Sequence, residues 1–556
     1  MTVFSGRLKE RHLMRAMLER RAPGLIVVRG PSGVGKTALI NQVLQDLATA
    51  APIVGRAKYA DQTSGAGLRP VVDALSQAVD AALGRLYDPA SGAASLRTLL
   101  GIQYGALLAA GFAAEGLAGG EAPPATQALL SHEGTVRLVD ALARVLQWLE
   151  GFALPVVLFV DDWHRAPNEA VGFVHACSQR GEASLLKLVL AIRGEGSTVY
   201  PGTASFVDVE PLAPAQQLEL LTGLLEEPAR AHAVMDWLGA NSSGLPFDLC
   251  QIALALDREG AFVGTGASQR VDPERVIAID NSNIDDIITR RARTLAPDAL
   301  RLGIAAALWS DRAPLDLLGR CLAQSRAATH AAAQTLQANS LLRIEGEEIA
   351  FPHDRVRTGF LQVPGEGELR RLANAMVDVL LGEGAGNHRQ TALRLKLVGG
   401  LDDVRDAGLS ALFAAEAASA RLAAQFDLAA DFGEAAWSIH QRLASPDPGD
   451  RFAVVREACL AAAHRRQPET ARERCLQMIA VAANAPDLAD AYGQSVRAMR
   501  LAGREADAWN FCREGLARFG IHLPGRISRS RLLLAMMAWR LIGRTPRRLI
   551  PHNART

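Results

Sequence analysis

The chain has 556 residues, too many for one hydrophobic core, and its length predicts roughly three to five domains of about 100–200 residues each. Its residues are 49% apolar and 21% charged, and the formal net charge is +1, which argues against a strongly basic, dedicated nucleic-acid binder. The six cysteines show no C-x-x-C spacing, so reduced core thiols are favoured over a zinc site or a disulfide framework.

The two ends of the chain carry no predicted membrane anchor. Charged residues stand early, at Arg7, Lys9, Glu10 and Arg11, which is unlike a signal peptide. The apolar stretch LLLAMMAW near the C-terminus is far shorter than the roughly 20 residues of a membrane span. We therefore expect a cytoplasmic protein without a membrane span.

The first motif is a glycine-rich turn between apolar segments, LIVVRGPSGVGKTALI, from Leu25 to Ile40. LIVV is typical of a parallel strand that is buried on both faces. The turn matches G-x-x-x-x-G-K-S/T, and predicts backbone N–H groups around the β- and γ-phosphates with Lys36 as a cation. Thr37 opens the next helix, whose N-terminus favours the same anion, and its hydroxyl is a predicted Mg²⁺ ligand. The predicted nucleotide-binding residues of the loop are Gly30, Pro31, Ser32, Gly33, Val34, Gly35, Lys36, Thr37 and Ala38.

Two further apolar runs predict strands that end beside this loop. PVVLFVDDWHRAP, from Pro155 to Pro167, places paired carboxylates at the carboxyl edge of the sheet. We expect Asp161 to hold Mg²⁺ through water and Asp162 to orient or polarise the attacking water; the alternative is that both merely end a strand. LLKLVLAI ends at Arg193, which is predicted to contact the γ-phosphate, the alternative being a solvated arginine.

The second half of the chain predicts small helical domains. SSGLPFDL, from Ser242 to Leu249, reads on its own as a helix N-terminus with proline in the first turn. LLRIEGEEIAFPHDRVRTGF, from Leu341 to Phe360, predicts two short strands, a turn around Gly346 and a helix, as in a winged-helix fold. From Ala392 to Phe519, small and large residues alternate at three- and four-residue spacing, which predicts stacked, tetratricopeptide-like helix pairs without a strict period of about 34 residues.

These motifs together resemble the AAA-like, STAND-type ATPase region of large bacterial signalling proteins, the trifunctional serine/threonine kinase and hybrid histidine kinase sensors. FSGRLKE is similar to the family's F-x-G-R-x-x-E, and Arg193-Gly194-Glu195 to its R-x-x-E segment with one residue fewer. PHDRV resembles F-x-H-D-R-V and the M-H-D motif of related switch ATPases, and LARFGIHLPG resembles L-x-x-L-G-I-x-L-P. The family continues its aspartate strand as D-D-L-Q-W-A-D, whereas Trp163 to Pro167 follow here.

The resemblance implies further binding residues. Gly6 and Arg7 would lie by the adenine, and Pro246 of the G-x-P-F motif would pack on it. His353 would contact the β-phosphate of ADP and sense the nucleotide; a lone histidine is otherwise surface or core filler.

The predicted fold class is an α/β P-loop NTPase core, a parallel sheet with helices on both faces, followed by a helical lid, a winged-helix domain and all-α tetratricopeptide-like repeats. We place these domains at residues 1–205, 206–270, 271–385 and 386–525, with a basic helical tail at 526–556. That tail would pack on further helices or bind an anionic membrane or nucleic acid. The small, proline-bearing stretch from Gly111 to Gln127 is predicted to be a loop.

These motifs suggest three candidate functions. The favoured one is a slowly hydrolysing, ATP/ADP- and Mg²⁺-dependent signalling switch. In it ADP holds the lid and winged helix against the core, and ATP releases them into a homo-oligomer. It would regulate a protein effector or a downstream kinase, cyclase or regulator module. A phosphotransferring kinase is disfavoured because V-A-I-K, H-R-D and D-F-G are missing from the sequence. A DNA-associated AAA-type ATPase or transcriptional regulator would read DNA with DRVRTGFLQ, which carries Asp354 beside Arg355 and Arg357.

Overall fold

The computed structural model describes residues 4–20, 22, 24–47, 51–59, 67–114, 117, 131–166, 168–178, 184–194, 204–239, 243–272, 284–309, 312–382, 389–402, 404–422, 425–443 and 448–521. The chain divides into two compact units, Met1–Ala461 and Ala462–Thr556. The predicted tail at 526–556, most of the predicted loop from Gly111 to Gln127, and the end of the LARFGIHLPG motif lie outside the described residues. Among the helices that are described, none is both long and apolar enough to cross a bilayer.

A five-stranded parallel sheet forms the centre of the N-terminal region. Its strands are β1 (Gly24–Gly30), β2 (Ile53–Lys58), β3 (Val156–Asp161), β4 (Leu186–Arg193) and β5 (Ser205–Asp208), in the spatial order β2-β3-β4-β1-β5. Strands β1, β3 and β4 are the three predicted ones. They lie next to one another in the middle of the sheet, because continuous apolar runs suit strands that are covered on both faces.

Helices cover both faces of this sheet, since successive strand residues point to opposite sides. The helices are α1 (Leu8–Glu19), α2 (Lys36–Asp46), α3 (Arg69–Leu83), α4 (Pro89–Leu100), α5 (Tyr104–Ala109), α6 (Ser131–Glu150) and α7 (Asn168–Ser178). Ile26 and Val28 pack in one core with α1 and α2. Leu25 and Val27 pack in the other with α3, α6 and α7. The predicted α/β core with helices on both faces is thereby confirmed.

The next region is mainly helical and shares one continuous hydrophobic core. Its helices are α8 (Pro214–Leu225), α9 (Pro228–Leu238), α10 (Pro246–Arg258), α11 (Ile284–Arg293), α12 (Pro297–Trp309), α13 (Leu315–Cys321), α14 (Arg326–Ala338), α15 (Asp354–Gln362), α16 (Glu366–Gly382) and α17 (Arg389–Gly399). Its short strands are β6 (Phe262–Val263), β7 (Arg270–Val271), β8 (Ala313–Pro314), β9 (Arg343–Glu345) and β10 (Glu348–Ala350). Gly346, at φ +68°, adopts the left-handed conformation that favours glycine, and so turns β9 into β10 ahead of α15. These are the two strands, turn and helix expected of Leu341 to Phe360.

The remaining regular elements of the described residues are helices. They are α18 (Ala407–Leu422), α19 (Phe426–His440), α20 (Pro448–His464), α21 (Pro468–Val481), α22 (Ala485–Leu501) and α23 (Glu505–Arg518). In the first unit α18 packs on α19, where the rings of Phe413 and Phe432 meet edge to face with centroids 5.6 Å apart. In the second unit α22 packs on α23, and the Tyr492 ring fills the space that Gly515 leaves. The domain limits that we placed along this chain stay predictions.

Candidate nucleotide-binding site

The glycine-rich loop joins β1 to α2 at the carboxyl edge of the sheet. Gly33 and Gly35 have φ angles of +80° and +95°, and other residues adopt this left-handed conformation only at a cost. Such a loop, ending at the N-terminus of α2, turns successive backbone N–H groups toward one concave side. Of its predicted binding residues, Val34 is buried in the core, whereas Pro31, Thr37 and Ala38 are exposed. The loop therefore has the form of an anion cradle.

Lys36 lies within this cradle and is only 7% exposed. Its Nζ donates hydrogen bonds to the carbonyl oxygens of Gly30 at 2.8 Å and Pro31 at 2.9 Å. Burial lowers the pKa of Lys36, and this outweighs the opposing effect of the nearby Asp161 and Asp162 carboxylates. Both of these hydrogen-bond partners are neutral carbonyls, so the positive charge of Lys36 fits a phosphate anion.

Thr37 and Asp161 meet directly beside the cradle. The Thr37 hydroxyl donates to Asp161 Oδ2 at 2.6 Å, and the Asp162 backbone N–H donates to Asp161 Oδ1 at 2.9 Å. Burial, and then the charge of Asp162, raise the pKa of the Asp161 carboxyl. A cation at this point would stabilise the ionised form of the buried Asp161 carboxyl. A hydroxyl together with a carboxylate oxygen is a set of ligands that Mg²⁺ accepts. The residues present therefore fit a magnesium ion.

Asp162 and Arg193 lie together at the ends of neighbouring strands. Arg193 Nε donates to Asp162 Oδ1 at 3.2 Å, and Arg193 Nη2 donates to Asp354 Oδ2 at 3.1 Å. Lys58, the last residue of β2, donates from Nζ to Asp354 Oδ1 at 2.7 Å and lies 3.6 Å from Asp162 Oδ2. His164 completes the group, with Nδ1 at 4.0 Å from Asp162 Oδ1. Two strand-end cations thus bind the carboxylate of Asp162, which follows β3, and that of Asp354, which opens α15.

His353 immediately precedes α15 and contacts the cradle. Its Nδ1 accepts the Arg355 backbone N–H at 3.2 Å, which assigns the ring proton to Nε2. Nε2 lies 3.4 Å from the Ser32 hydroxyl, and the ring stacks on Phe247 with centroids 4.1 Å apart. Burial lowers the pKa of His353 to about 4, so the ring is neutral at pH 7. A neutral Nε2–H is therefore presented to the phosphate loop.

The remaining predicted residues surround the same loop. Arg7 is 5% exposed and donates from Nη2 to the Val34 carbonyl at 3.1 Å. Gly6 has φ +69°, and a Cβ at this position would lie 3.0 Å from Gln216 Nε2 of α8. Pro246 opens α10, and its Cγ would lie 3.9 Å from a Cβ on Gly35. All of the predicted site residues thus lie on or around the glycine-rich loop and the adjacent strand ends.

Comparison with protein families agrees with this geometry. Residues 3–190 match the family model of the AAA ATPase domain. This part of the chain is therefore similar to an AAA ATPase domain. No curated protein matches the chain in sequence.

Solved structures give weaker likenesses. A Signal Transduction ATPase with Numerous Domains (STAND) protein with a tetratricopeptide repeat sensor, from Pyrococcus horikoshii, is 13% identical with a TM-score of 0.48. That alignment covers 98% of this chain and 78% of the other. A Walker-type ATPase of Pyrococcus abyssi is 14% identical with a TM-score of 0.29, covering 64% of this chain and 96% of the other. RuvB of Thermotoga maritima is 13% identical with a TM-score of 0.26, covering 64% and 95%. TM-scores this low are not evidence of function.

Sequence reasoning misses three side chains that contact the candidate nucleotide-binding site or form part of it: Lys58, Phe247 and Asp354. Asp354 stands within the PHDRV motif and Phe247 within SSGLPFDL. The motifs therefore include these two residues but do not show which side chains they contact. The Phe247 backbone N–H donates to the Gly33 carbonyl at 3.2 Å. Lys58 ends the short strand IVGRAK, whose glycine and charged residues obscure the apolar pattern.

Proposed function

We propose that this chain is a slowly hydrolysing, STAND-type ATP/ADP switch. In this switch the bound nucleotide controls whether the segment carrying His353 stays docked on the AAA ATPase domain. The observation that carries the proposal is the contact between His353 Nε2 and Ser32 in the phosphate loop, two residues separated by 321 positions. A ligand shifts an equilibrium only if it contacts the two states differently. A nucleotide in this loop would touch His353 in the docked state alone.

We assign different residues of the chain to the phosphates, the magnesium ion and the adenine of the nucleotide. The loop N–H groups and Lys36 would bind the phosphates, while Thr37 and Asp161 would hold Mg²⁺. Bound Mg²⁺ supplies charge neutralisation and orientation of the phosphate oxygens. Gly6, Arg7 and Pro246 would form the adenine side of the site.

The pairing of Asp162 with Arg193 supports slow hydrolysis. We assign Asp162 to the attacking water and Arg193 to the charge on the transferring phosphate. In this structure the two groups bind each other at 3.2 Å, so neither carries out its assigned role until they separate. An arginine at the transferring phosphate contributes about 10³–10⁵ in rate, so its diversion to Asp162 would keep turnover low.

The C-terminal regions would convey the nucleotide state to partners. The β8-β10-β9 sheet with α15 supports a winged-helix domain, and the paired helices from α18 onward support tetratricopeptide-like repeats. We infer that this region regulates a protein effector or a kinase, cyclase or regulator module, and that ATP drives homo-oligomer formation.

The structure gives no support to DNA reading by α15. Arg355 donates to Asp248 at 3.0 Å and to Asp285 at 2.8 Å, and the buried Arg357 donates to the Ala307 carbonyl at 2.9 Å. Both arginines are therefore engaged inside the fold, whereas a recognition helix needs them at a phosphate or base edge.

Nucleotide identification in the native protein tests the proposal. The purified chain is denatured, the released nucleotide is identified by chromatography, and small-angle scattering compares the ADP-loaded and ATP-loaded protein. The switch predicts bound ADP and a larger radius of gyration, or a larger mass, with ATP. Identical scattering curves for the two loaded forms would contradict it.

A further inference from the structure

Two cations from different strands converge on one carboxylate of α15. Lys58 ends β2 and Arg193 ends β4, on either side of β3 in the sheet. Lys58 Nζ donates to Asp354 Oδ1 at 2.7 Å and Arg193 Nη2 donates to Asp354 Oδ2 at 3.1 Å. Each oxygen of Asp354 thus binds one cation, and the aspartate side chain is only 17% exposed.

These cations lie at the ends of two strands of the five-stranded sheet, whereas Asp354 comes from the region that docks on it. Both cations also face Asp162, at 3.2 Å from Arg193 and 3.6 Å from Lys58. Asp162 in turn follows Asp161, the carboxylate that fits Mg²⁺ beside Thr37. If Asp354 withdrew, Lys58 and Arg193 would each lose an anionic partner beside the phosphate loop, and Asp162 would be the carboxylate that still contacts both. Such a place favours an added anion.

We propose that Lys58 is a second binding residue for the terminal phosphate of ATP, beside Arg193, and that Asp354 competes with this phosphate for both cations. The inference rests on the proposed nucleotide-binding function and deepens it. ADP lacks the terminal phosphate, so it leaves Lys58 and Arg193 to Asp354 and the segment stays docked. ATP offers these cations a phosphate in place of the carboxylate, and this exchange releases the segment.

Electrostatics keep the pair ionised at neutral pH. Burial by itself would lower the pKa of Lys58, but the carboxylates of Asp354 and Asp162 outweigh it and raise the pKa. Burial would likewise raise the pKa of Asp354, yet Lys58, His353 and Arg193 lower it. The contact therefore opens through competition with another anion, not through titration of either partner near pH 7.

The test measures the ratio of the dissociation constants for ADP and for the slowly hydrolysed analogue ATPγS, by calorimetry with Mg²⁺. Lys58→Met removes the proposed charge-assisted hydrogen bond from Lys58 to the terminal phosphate. Because Lys58 is partly exposed, we discount the free energy of this bond and expect ATPγS binding to weaken by about 10-fold. ADP binding should change by less than about 2-fold. Lys58→Arg should retain the wild-type ratio because it retains the charge. Asp354→Asn should shift the ratio toward ATPγS, since the competing carboxylate is gone.

A double variant tests the route of this effect. If Asp354 acts partly through Lys58, Asp354→Asn should shift the ratio less in the Lys58→Met background than in the wild type. Equal shifts in the two backgrounds would show that the residues act independently and would overturn the competition.

A matched control separates competition from simple loosening of the segment. Asp285→Asn removes the charge from the 2.8 Å bond to Arg355 in the same region without touching either strand-end cation, so it should shift the ratio much less than Asp354→Asn does. The inference is overturned if Lys58→Met weakens both nucleotides equally, or if Asp285→Asn matches Asp354→Asn. Thermal melting checks that each variant folds, and Lys58→Gln replaces Lys58→Met if that variant does not. Failure of the wild type to bind either nucleotide would instead overturn the proposed function itself.

Discussion

Replacing His353 by alanine should accelerate ADP release while leaving ATP binding by the phosphate loop in place. The ring makes three kinds of contact: Nδ1 accepts the Arg355 N–H at 3.2 Å, the ring stacks on Phe247, and Nε2 lies 3.4 Å from the Ser32 hydroxyl. The first two hold the ring in place, and the third points to the loop. The variant therefore removes the group that we assign to the β-phosphate.

The magnitude depends on whether nucleotide is present. The Ser32 contact is long, so without nucleotide its loss should cost about 0.5 kcal/mol, or about 2-fold in the docked fraction. A hydrogen bond from Nε2 to a charged β-phosphate is worth roughly 1.5–3 kcal/mol, which corresponds to about 10- to 150-fold faster ADP release. A large effect in the presence of ADP and a small one in its absence is thus the expected signature.

The assay is the off-rate of a fluorescent ADP analogue, displaced by excess ADP, paired with small-angle scattering. His353→Phe keeps a ring against Phe247 but lacks the nitrogen, so it should release ADP as fast as His353→Ala. His353→Asn supplies a good N-cap for α15 and controls for the lost Arg355 N–H bond. Ser32→Ala tests the loop hydroxyl, and a change of about 2-fold is expected.

One result would refute this reasoning. If the wild type, His353→Ala and His353→Phe release ADP at the same rate and scatter identically, Nε2 contacts no phosphate. His353 would then be an ordinary capping residue, and the switch would lose its residue-level support.

Three further predictions concern binding, turnover and pH. Lys36→Ala should abolish ATP binding in a calorimetric titration while thermal melting shows an intact fold; unchanged affinity would remove the phosphate-loop assignment. Asp161→Asn should weaken Mg²⁺-dependent binding, whereas Asp162→Asn should bind ATP but release no phosphate, and the reverse pattern would mean that the two roles are exchanged. Burial lowers the pKa of His353 from 6.5 to about 4, so the released form takes up a proton first as pH falls. Acidification from pH 7 to pH 4 should therefore destabilise docking by up to about 3 kcal/mol, measured as the wild-type melting shift that His353→Phe lacks.

Local sequence determined the core of the site. The loop spacing from Gly30 to Thr37 and the apolar runs before Asp161 and Arg193 predicted three strands that end beside the loop, with Thr37 and Asp161 at one magnesium site. The structure places the Thr37 hydroxyl 2.6 Å from Asp161 Oδ2. These contacts are predictable because parallel strands present their carboxyl ends at one edge of a sheet, where a strand-loop-helix motif already specifies its own geometry. The positions of these residues can therefore be predicted from their own strands and from the parallel packing of those strands.

Strand β2 shows where local pattern is insufficient. Gly55 interrupts its apolar run, since a Cβ there would collide with the Ala74 carbonyl oxygen of α3. The glycine is thus explained only by the helix that packs on the strand, and Lys58 at its end remained unpredicted.

Tertiary structure alone decided which charges pair across the site. Lys58 and Asp354 are separated by 296 positions, and His353 and Ser32 by 321. Within its own segment Asp354 is simply an acidic residue at a helix N-terminus, where the helix dipole already favours it. Its pairing with two strand-end cations exists only because α15 docks at the carboxyl edge of the sheet. No helical or strand periodicity encodes that contact, because it is determined by the packing of whole regions.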